Sequence, residues 1–151
     1  MMQKIKILKL SPENTELLQA CAELDKICLA SEAWSFESFR SEAEKNSGIV
    51  LAAVSPEAEL LGFLTASCIL DTADLTNIAV SPAYRRNGIA GMLLETLFSL
   101  TGEACIFLEV RESNQNAIAL YQKYQFRPVG VRKNFYQNPI ENAILMQYGG
   151  N

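Results

Sequence analysis

The sequence predicts an α+β fold: a mixed sheet flanked by helices, in three layers. Three observations lead there. Residues 49–55, 60–70 and 73–80 are apolar, strand-like runs in close succession, as in a meander. Two segments, one after Pro12 and one from Gly88 to Gly102, carry apolar side chains at helical spacing. From residue 73 onward strand-like and helix-like segments alternate, which sets helices between strands of one sheet.

Each element follows from local signals. Residues 3–10 read as a strand. Ser11-Pro12-Glu13 reads as a helix start, with Ser at the N-cap and Pro at the first helical position. Leu17, Leu18, Cys21, Leu24 and Cys28 then share one side of that helix. Ser35 opens a second, short helix with Phe36 and Phe39, ending near Gly48. Ile49 to Ser55 and Leu60 to Leu70 form a hairpin around Pro56-Glu57-Ala58-Glu59, and Ala73 to Val80 adds a third strand that Pro82 closes. Ala104 to Val110 is a strongly apolar strand. Ser113 or Asn114 caps a helix that runs to about Tyr124. Phe126 to Lys133 and Ala143 to Tyr148 finish the sheet, parted by the loop Gln137-Asn138-Pro139. No repeat, linker or low-complexity stretch interrupts residues 1–151, so a single domain is expected.

The most informative residues are Arg85-Arg86-Asn87-Gly88-Ile89-Ala90. They lie between the strand Leu75 to Val80 and a helix carrying Ile89, Leu93 and Leu97 on one stripe. A strand, a loop with a glycine and a helix N-terminus together make an anion site, because unpaired N–H groups point outward and the helix dipole favours negative charge. No Gly-Lys-Ser/Thr follows, so the loop is not a Walker A loop, and it lacks the Gly-x-Gly-x-x-Gly of dinucleotide folds. The bland alternative is an ordinary strand–helix connection.

The formal charge of −4 argues against general nucleic-acid binding and requires any polyphosphate to be held locally, which gives the arginine pair a purpose. The chain has no histidine, which removes Ser-His-Asp and Cys-His triads and the commonest zinc ligand. The four cysteines form no C-x-x-C pair and read as reduced core residues of a cytoplasmic protein. Neither a signal peptide nor a membrane span is expected, and no metal site.

Without histidine, a general base must be a carboxylate, tyrosine, lysine or a water they hold. Glu109 sits mid-strand in Cys105-Ile106-Phe107-Leu108-Glu109-Val110-Arg111, where apolar neighbours on both faces suit a general base. The alternative is a structural ion pair with Arg111 or another buried cation. Tyr121 falls two turns after Asn114 on its helix, where a phenol could protonate a departing thiolate of pKa within about a unit or two of its own. The alternative is packing, with the hydroxyl bonded to backbone.

The runs Asn77-Ile78-Ala79-Val80, Arg85 to Ala90, Leu108 to Arg111, Ser113-Asn114 and Ala119-Leu120-Tyr121 together resemble the RimI family of the GNAT superfamily, the ribosomal-protein-alanine N-acetyltransferases. The element order is also that of the GNAT acyl-CoA N-acetyltransferase fold, and the resemblance spans about residues 3–148. It implies Glu109 as proton acceptor and Tyr121 as proton donor. It implies that Ile78, Ala79 and Val80 pair with the pantetheine arm of acetyl-CoA, that Arg85, Arg86, Asn87, Gly88, Ile89 and Ala90 hold its pyrophosphate, and that Asn114 contacts it. The segments around Trp34 and around Phe135-Tyr136 resemble those that flank the family's acceptor site, although composition alone reads these aromatics as core. Glu141 would help attract a basic peptide tail. The sequence departs from the family at Ala33, where Pro is usual, at Asn142, where an acid is usual, and at Gln125, where Gly is usual. If the helix closes in the left-handed conformation there, Gln125 costs about 1 kcal/mol or more.

The implied activity is transfer of an acetyl group from acetyl-CoA to a protein N-terminal amine, the alanine of a small-subunit ribosomal protein, with no metal. Two rivals are a GNAT acting on a polyamine or aminoglycoside and a non-catalytic acyl-CoA-binding module.

Overall fold

The computed structural model describes residues 4–29 and 32–150. The strands are β1 (Lys6–Lys9), β2 (Gly48–Val54), β3 (Leu60–Ile69), β4 (Thr72–Val80), β5 (Cys105–Arg111), β6 (Arg127–Tyr136) and β7 (Glu141–Tyr148), and the helices are α1 (Thr15–Leu29), α2 (Phe36–Glu44), α3 (Ile89–Thr101) and α4 (Gln115–Lys123). The strands form one sheet in the order β1-β2-β3-β4-β5-β7-β6. All neighbours are antiparallel except β4 and β5. The mixed, helix-flanked sheet expected from the sequence is therefore present.

Two apolar cores lie on opposite faces of that sheet. Leu18, Cys21 and Leu24 of α1 and Phe39 of α2 pack with Val50, Ala52 and Phe63 on one face. Leu93, Leu94 and Leu97 of α3, with Tyr121 and Phe126, pack with Leu51, Leu64, Ile106 and Met146 on the other. All seven residues of β2 are buried, because both faces of this strand are covered. That is why its sequence is nearly continuous in apolar residues rather than alternating.

The first helix starts later than expected. Leu18 N–H donates to Asn14 O, and the Asn14 side chain accepts from Ser11 N–H at 2.8 Å. Asn14 is thus the residue at the cap, and Ser11-Pro12-Glu13-Asn14 is a turn closed by Asn14 N–H on Ser11 O. Pro12 fits that turn for the same reason it suits a helix start, its fixed φ. Residue 3, included in the expected first strand, lies outside the described residues. The second helix has Ser35 as its N-cap, accepting from Ser38 N–H, and Asn114 caps α4 by accepting from Ala117 N–H.

Helix α4 closes as the Gln125 substitution foreshadowed. Gln125 has φ of 78°. Its N–H donates to Gln122 O and Phe126 N–H donates to Tyr121 O, the paired bonds of a Schellman closure. The accompanying apolar contact is Phe126 on Tyr121, ring centroids 5.7 Å apart. A side chain in the left-handed region is strained by roughly 1 kcal/mol. Gln125→Gly is therefore expected to raise stability by about 1 kcal/mol and the melting temperature by roughly 2–4 °C, read by thermal unfolding.

Candidate active site

The sheet divides at its parallel pair. β4 and β5 are in register only over Thr72–Asp74 and Cys105–Phe107. A bulge in β4 accompanies the separation. Thr65 faces Asn77 and Ala66 faces Leu75, so Thr76 is the extra residue. Its hydroxyl bonds the Thr65 carbonyl at 3.0 Å and the Thr65 hydroxyl at 2.8 Å, which satisfies buried Thr65. A bulge bends its strand and increases local twist, and here it turns Asn77 to Val80 away from β5. A cleft of about 780 Å³ fills the split, lined by the far halves of both strands. Along β4 the backbone N–H and C=O groups on that edge face the cleft and not a neighbouring strand, open to an extended ligand.

One end of the cleft is the Arg85–Ala90 loop. Arg86 and Gly88 both have positive φ, at 68° and 76°, a local geometry that turns successive N–H groups to one side. Gly88 is the N-cap of α3, and its carbonyl accepts from Met92 N–H at 3.0 Å. The N–H groups of Ile89, Ala90 and Gly91 precede that first helical bond and carry no intrahelical partner. A Cβ placed on Gly88 would meet nothing beyond its chain neighbours within 4 Å, so the space beside the start of α3 is open. The two arginines differ. Arg85 is exposed but tethered, with Nε donating to Val80 O at 3.2 Å and Nη2 near Cys28 Sγ at 3.7 Å. Arg86 lies exposed on the cleft lining. The Asn87 side chain turns back to the Tyr84 carbonyl at 3.0 Å and does not line the cleft, so it braces the loop.

Gly91 was not legible as a site residue. A Cβ there would lie 1.8 Å from the Tyr124 hydroxyl. The absent side chain lets the ring of Tyr124, the C-cap of α4, lie against the first turn of α3, where it joins the cleft wall.

Glu109 of β5 and Tyr121 of α4 line the same cleft. The apolar enclosure expected for Glu109 is not what forms. Its side chain is 31% exposed, and Oε2 lies 2.6 Å from Arg132 Nε of β6. Its partner is thus Arg132, because Arg111 is engaged elsewhere. Tyr121 is buried, and no hydrogen bond holds its hydroxyl among the described residues. Burial, and then the neighbouring Tyr136, push the Tyr121 phenol well above its ordinary value. The expected near match with a thiol is lost, since desolvation disfavours the phenolate. Tyr136 lines the same cleft and is pushed up to about 12, first by burial and then by the Glu109 charge.

The remaining end is framed by two walls. Trp34 packs on Phe39 at 5.3 Å, and its N–H donates to Asp25 Oδ2 at 2.9 Å. Asp25 is fully buried in α1, and both its oxygens accept from Asn77 Nδ2 at 3.0 Å. This bond ties the Trp34 segment to β4. Tyr136 forms the opposite wall. Phe135 is 45% exposed and lies outside the cleft lining, packed edge-on against Tyr136 at 5.0 Å. Glu141 also lies outside it. Hydrogen bonds from Ser113, then from Arg111, hold its carboxyl below the usual range. Its charge is therefore spent within the protein, not held out to a peptide tail. Of the other residues singled out in the sequence, Ile78, Ala79, Val80, Ile89, Ala90 and Asn114 all line the cleft.

An anion loop at one end of a split sheet suits a ligand that carries phosphates on a long extended arm, and this class of fold is that of the acyl-CoA N-acetyltransferases. The chain belongs to the acetyltransferase (GNAT) family, whose pattern it matches over residues 13–126. The ribosomal protein bS18-alanine N-acetyltransferase of Escherichia coli (strain K12) is 37% identical over 119 residues, covering 75% of this chain and 78% of that protein. The Haemophilus influenzae enzyme of the same name is 37% identical over 120 residues, covering 75% and 80%. Among solved structures, the E. coli ribosomal-protein-S18-alanine N-acetyltransferase superposes with a TM-score of 0.82 at 29% identity, over 96% of this chain and 93% of that one. Arabidopsis thaliana NAA60 in complex with acetyl-CoA has the same fold, with a TM-score of 0.82 at 21% identity over 97% and 100%. The protein is an acetyl-CoA-dependent N-acetyltransferase. No helix among the described residues is long and apolar enough to cross a membrane.

Proposed function

We propose that this chain acetylates the α-amine of a protein N-terminus, the acceptor being the alanine that begins ribosomal protein bS18, in the cytoplasm. The observation that carries the reading is a single cleft lined by the anion loop, by Glu109 and Tyr121, and by the aromatic residues Trp34 and Tyr136. The names of the bS18-alanine N-acetyltransferases that it resembles support the choice of acceptor.

The residues present fit acetyl-CoA. The free amides at the start of α3 and Arg86 would hold the pyrophosphate, and the open edge of β4 from Ile78 to Val80 would bind the pantetheine arm. When bound, acetyl-CoA supplies an activated acetyl thioester. Glu109, directly or through a water, takes a proton from the incoming ammonium. That ammonium competes with Arg132 for the same carboxylate, so the ion pair opens as the acceptor binds. A backbone N–H near Val80 donates to the thioester oxygen, where negative charge grows. Tyr121 keeps its proton at neutral pH and donates a hydrogen bond toward the leaving sulfur. Full transfer to a free thiolate is uphill for so weak an acid, by about 1.4 kcal/mol per unit of mismatch. Its contribution is stabilisation of developing charge: as the amine nitrogen bonds to the acetyl carbon and the C–S bond breaks, sulfur would leave as thiolate, and the two protons lost by the ammonium would pass through Glu109 to solvent.

The test is a panel of N-terminal peptides and small amines with acetyl-CoA, read by mass spectrometry. Peptides beginning with Ala or Ser are expected to outrun those beginning with Leu or Lys, since the aromatic walls favour a small first side chain. Turnover of spermidine or an aminoglycoside with Ala peptides untouched would overturn the acceptor and leave the family standing.

A further inference from the structure

Two of the four ion pairs among the described residues share one cation, Arg111. Arg111 ends β5 beside the cleft. Nη2 meets Glu32 Oε2 at 2.6 Å and the Gln137 carbonyl at 2.9 Å. Nη1 meets Glu141 Oε1 at 3.1 Å and the Pro139 carbonyl at 3.2 Å. The guanidinium also lies 4.4 Å from the centroid of the Tyr136 ring. Glu32 stands two residues before Trp34, in the connection from α1 to α2. The other four partners belong to the β6–β7 hairpin. One planar fork thus joins both walls of the acceptor end.

We propose that Arg111 is a positioning residue that fixes the spacing of those walls and so restricts the first side chain of the acceptor; this rests on the N-terminal acceptor reading above. The geometry favours arginine over lysine. A fork with several N–H donors can serve two carboxylates and two carbonyls while its face stacks on an aromatic ring. A single ammonium cannot hold that set. The side chain is 22% exposed, and its partners Glu32 and Glu141 are 39% and 15% exposed. The arrangement is therefore a partly screened network at the cleft mouth. It does not touch the amides of the phosphate loop.

The experiment compares Arg111→Met, Arg111→Lys and Glu32→Gln with the unaltered protein. Arg111→Met is expected to raise KM for an Ala-leading peptide by roughly 5–30-fold, with a smaller change in kcat and acetyl-CoA affinity retained. The preference for Ala over Leu should shrink in the same variant. Lys should rescue only in part, and Glu32→Gln, which frees one wall, should give a smaller effect of the same kind. Hydrogen exchange without ligands should quicken over residues 137–141 but not over α3. Unchanged KM and Ala/Leu preference in both Arg111→Met and Glu32→Gln would overturn the proposal, as would unchanged exchange over 137–141. If Arg111→Met does not fold, Glu32→Gln decides. Failure of the unaltered protein to acetylate any N-terminal peptide would sink the acceptor reading instead, and the exchange experiment would still decide whether Arg111 ties the walls.

Discussion

Glu109→Gln is expected to lower kcat by roughly 10²–10⁴-fold while acetyl-CoA binds as before. That loss corresponds to about 2.7–5.4 kcal/mol of barrier, the contribution of one positioned base. The substitution keeps shape and removes only proton affinity and charge. Arg132, 2.6 Å away, can still donate to an amide oxygen, and both side chains are partly exposed. The pair is then worth a kilocalorie or less to stability, too little to mimic a catalytic loss through unfolding. Other carboxylates stand nearby but are occupied. Glu32 and Glu141 are both held by Arg111. Steady-state kinetics with an Ala-leading peptide, and calorimetry with acetyl-CoA alone, separate the two effects. Nearly full rate at neutral pH would mean that the amine loses its proton in solvent and that Glu109 serves only Arg132.

Most of this site was legible because its parts are local. The Arg85–Ala90 loop is six contiguous residues whose chemistry needs only a strand before and a helix after. Asn114 could be assigned to its helix start by residue type, and Gln125 to a left-handed closure by position. What escaped depends on pairs distant in sequence. The bulge at Thr76 is set by Thr65 across the hairpin, and nothing in the run 73–80 marks one residue as extra. The run 105–111 places only Arg111 beside Glu109, whereas the partner Arg132 lies two strands away in the sheet, on β6. Burial of Asp25 beneath Trp34 and Asn77 joins positions 52 residues apart. The helix start at Asn14 rather than Ser11 has a different cause: both residue types cap well, and only the turn around Pro12 decides between them.

The same distinction between local and assembled features bears on how firmly the protein grips its donor. Gly88→Val is expected to weaken acetyl-CoA binding by roughly 10–100-fold, the loss of one hydrogen bond to a charged group or a little more. Two physical effects act together. A φ of 76° is strained for any residue with a Cβ, and most for a β-branched one. The new side chain also occupies the open space beside the start of α3, where nothing beyond the chain neighbours lies within 4 Å of a Cβ. Gly88→Ala separates them. It brings the strain, about 1–2 kcal/mol of stability, with a single methyl in the way. If Ala lowers the melting temperature but binds acetyl-CoA nearly as well, while Val binds it poorly, the space in front of the amides is the ligand's. Calorimetry showing equal affinity for the unaltered protein and Gly88→Val would place the phosphates elsewhere, most simply on the exposed Arg86 without help from the helix start.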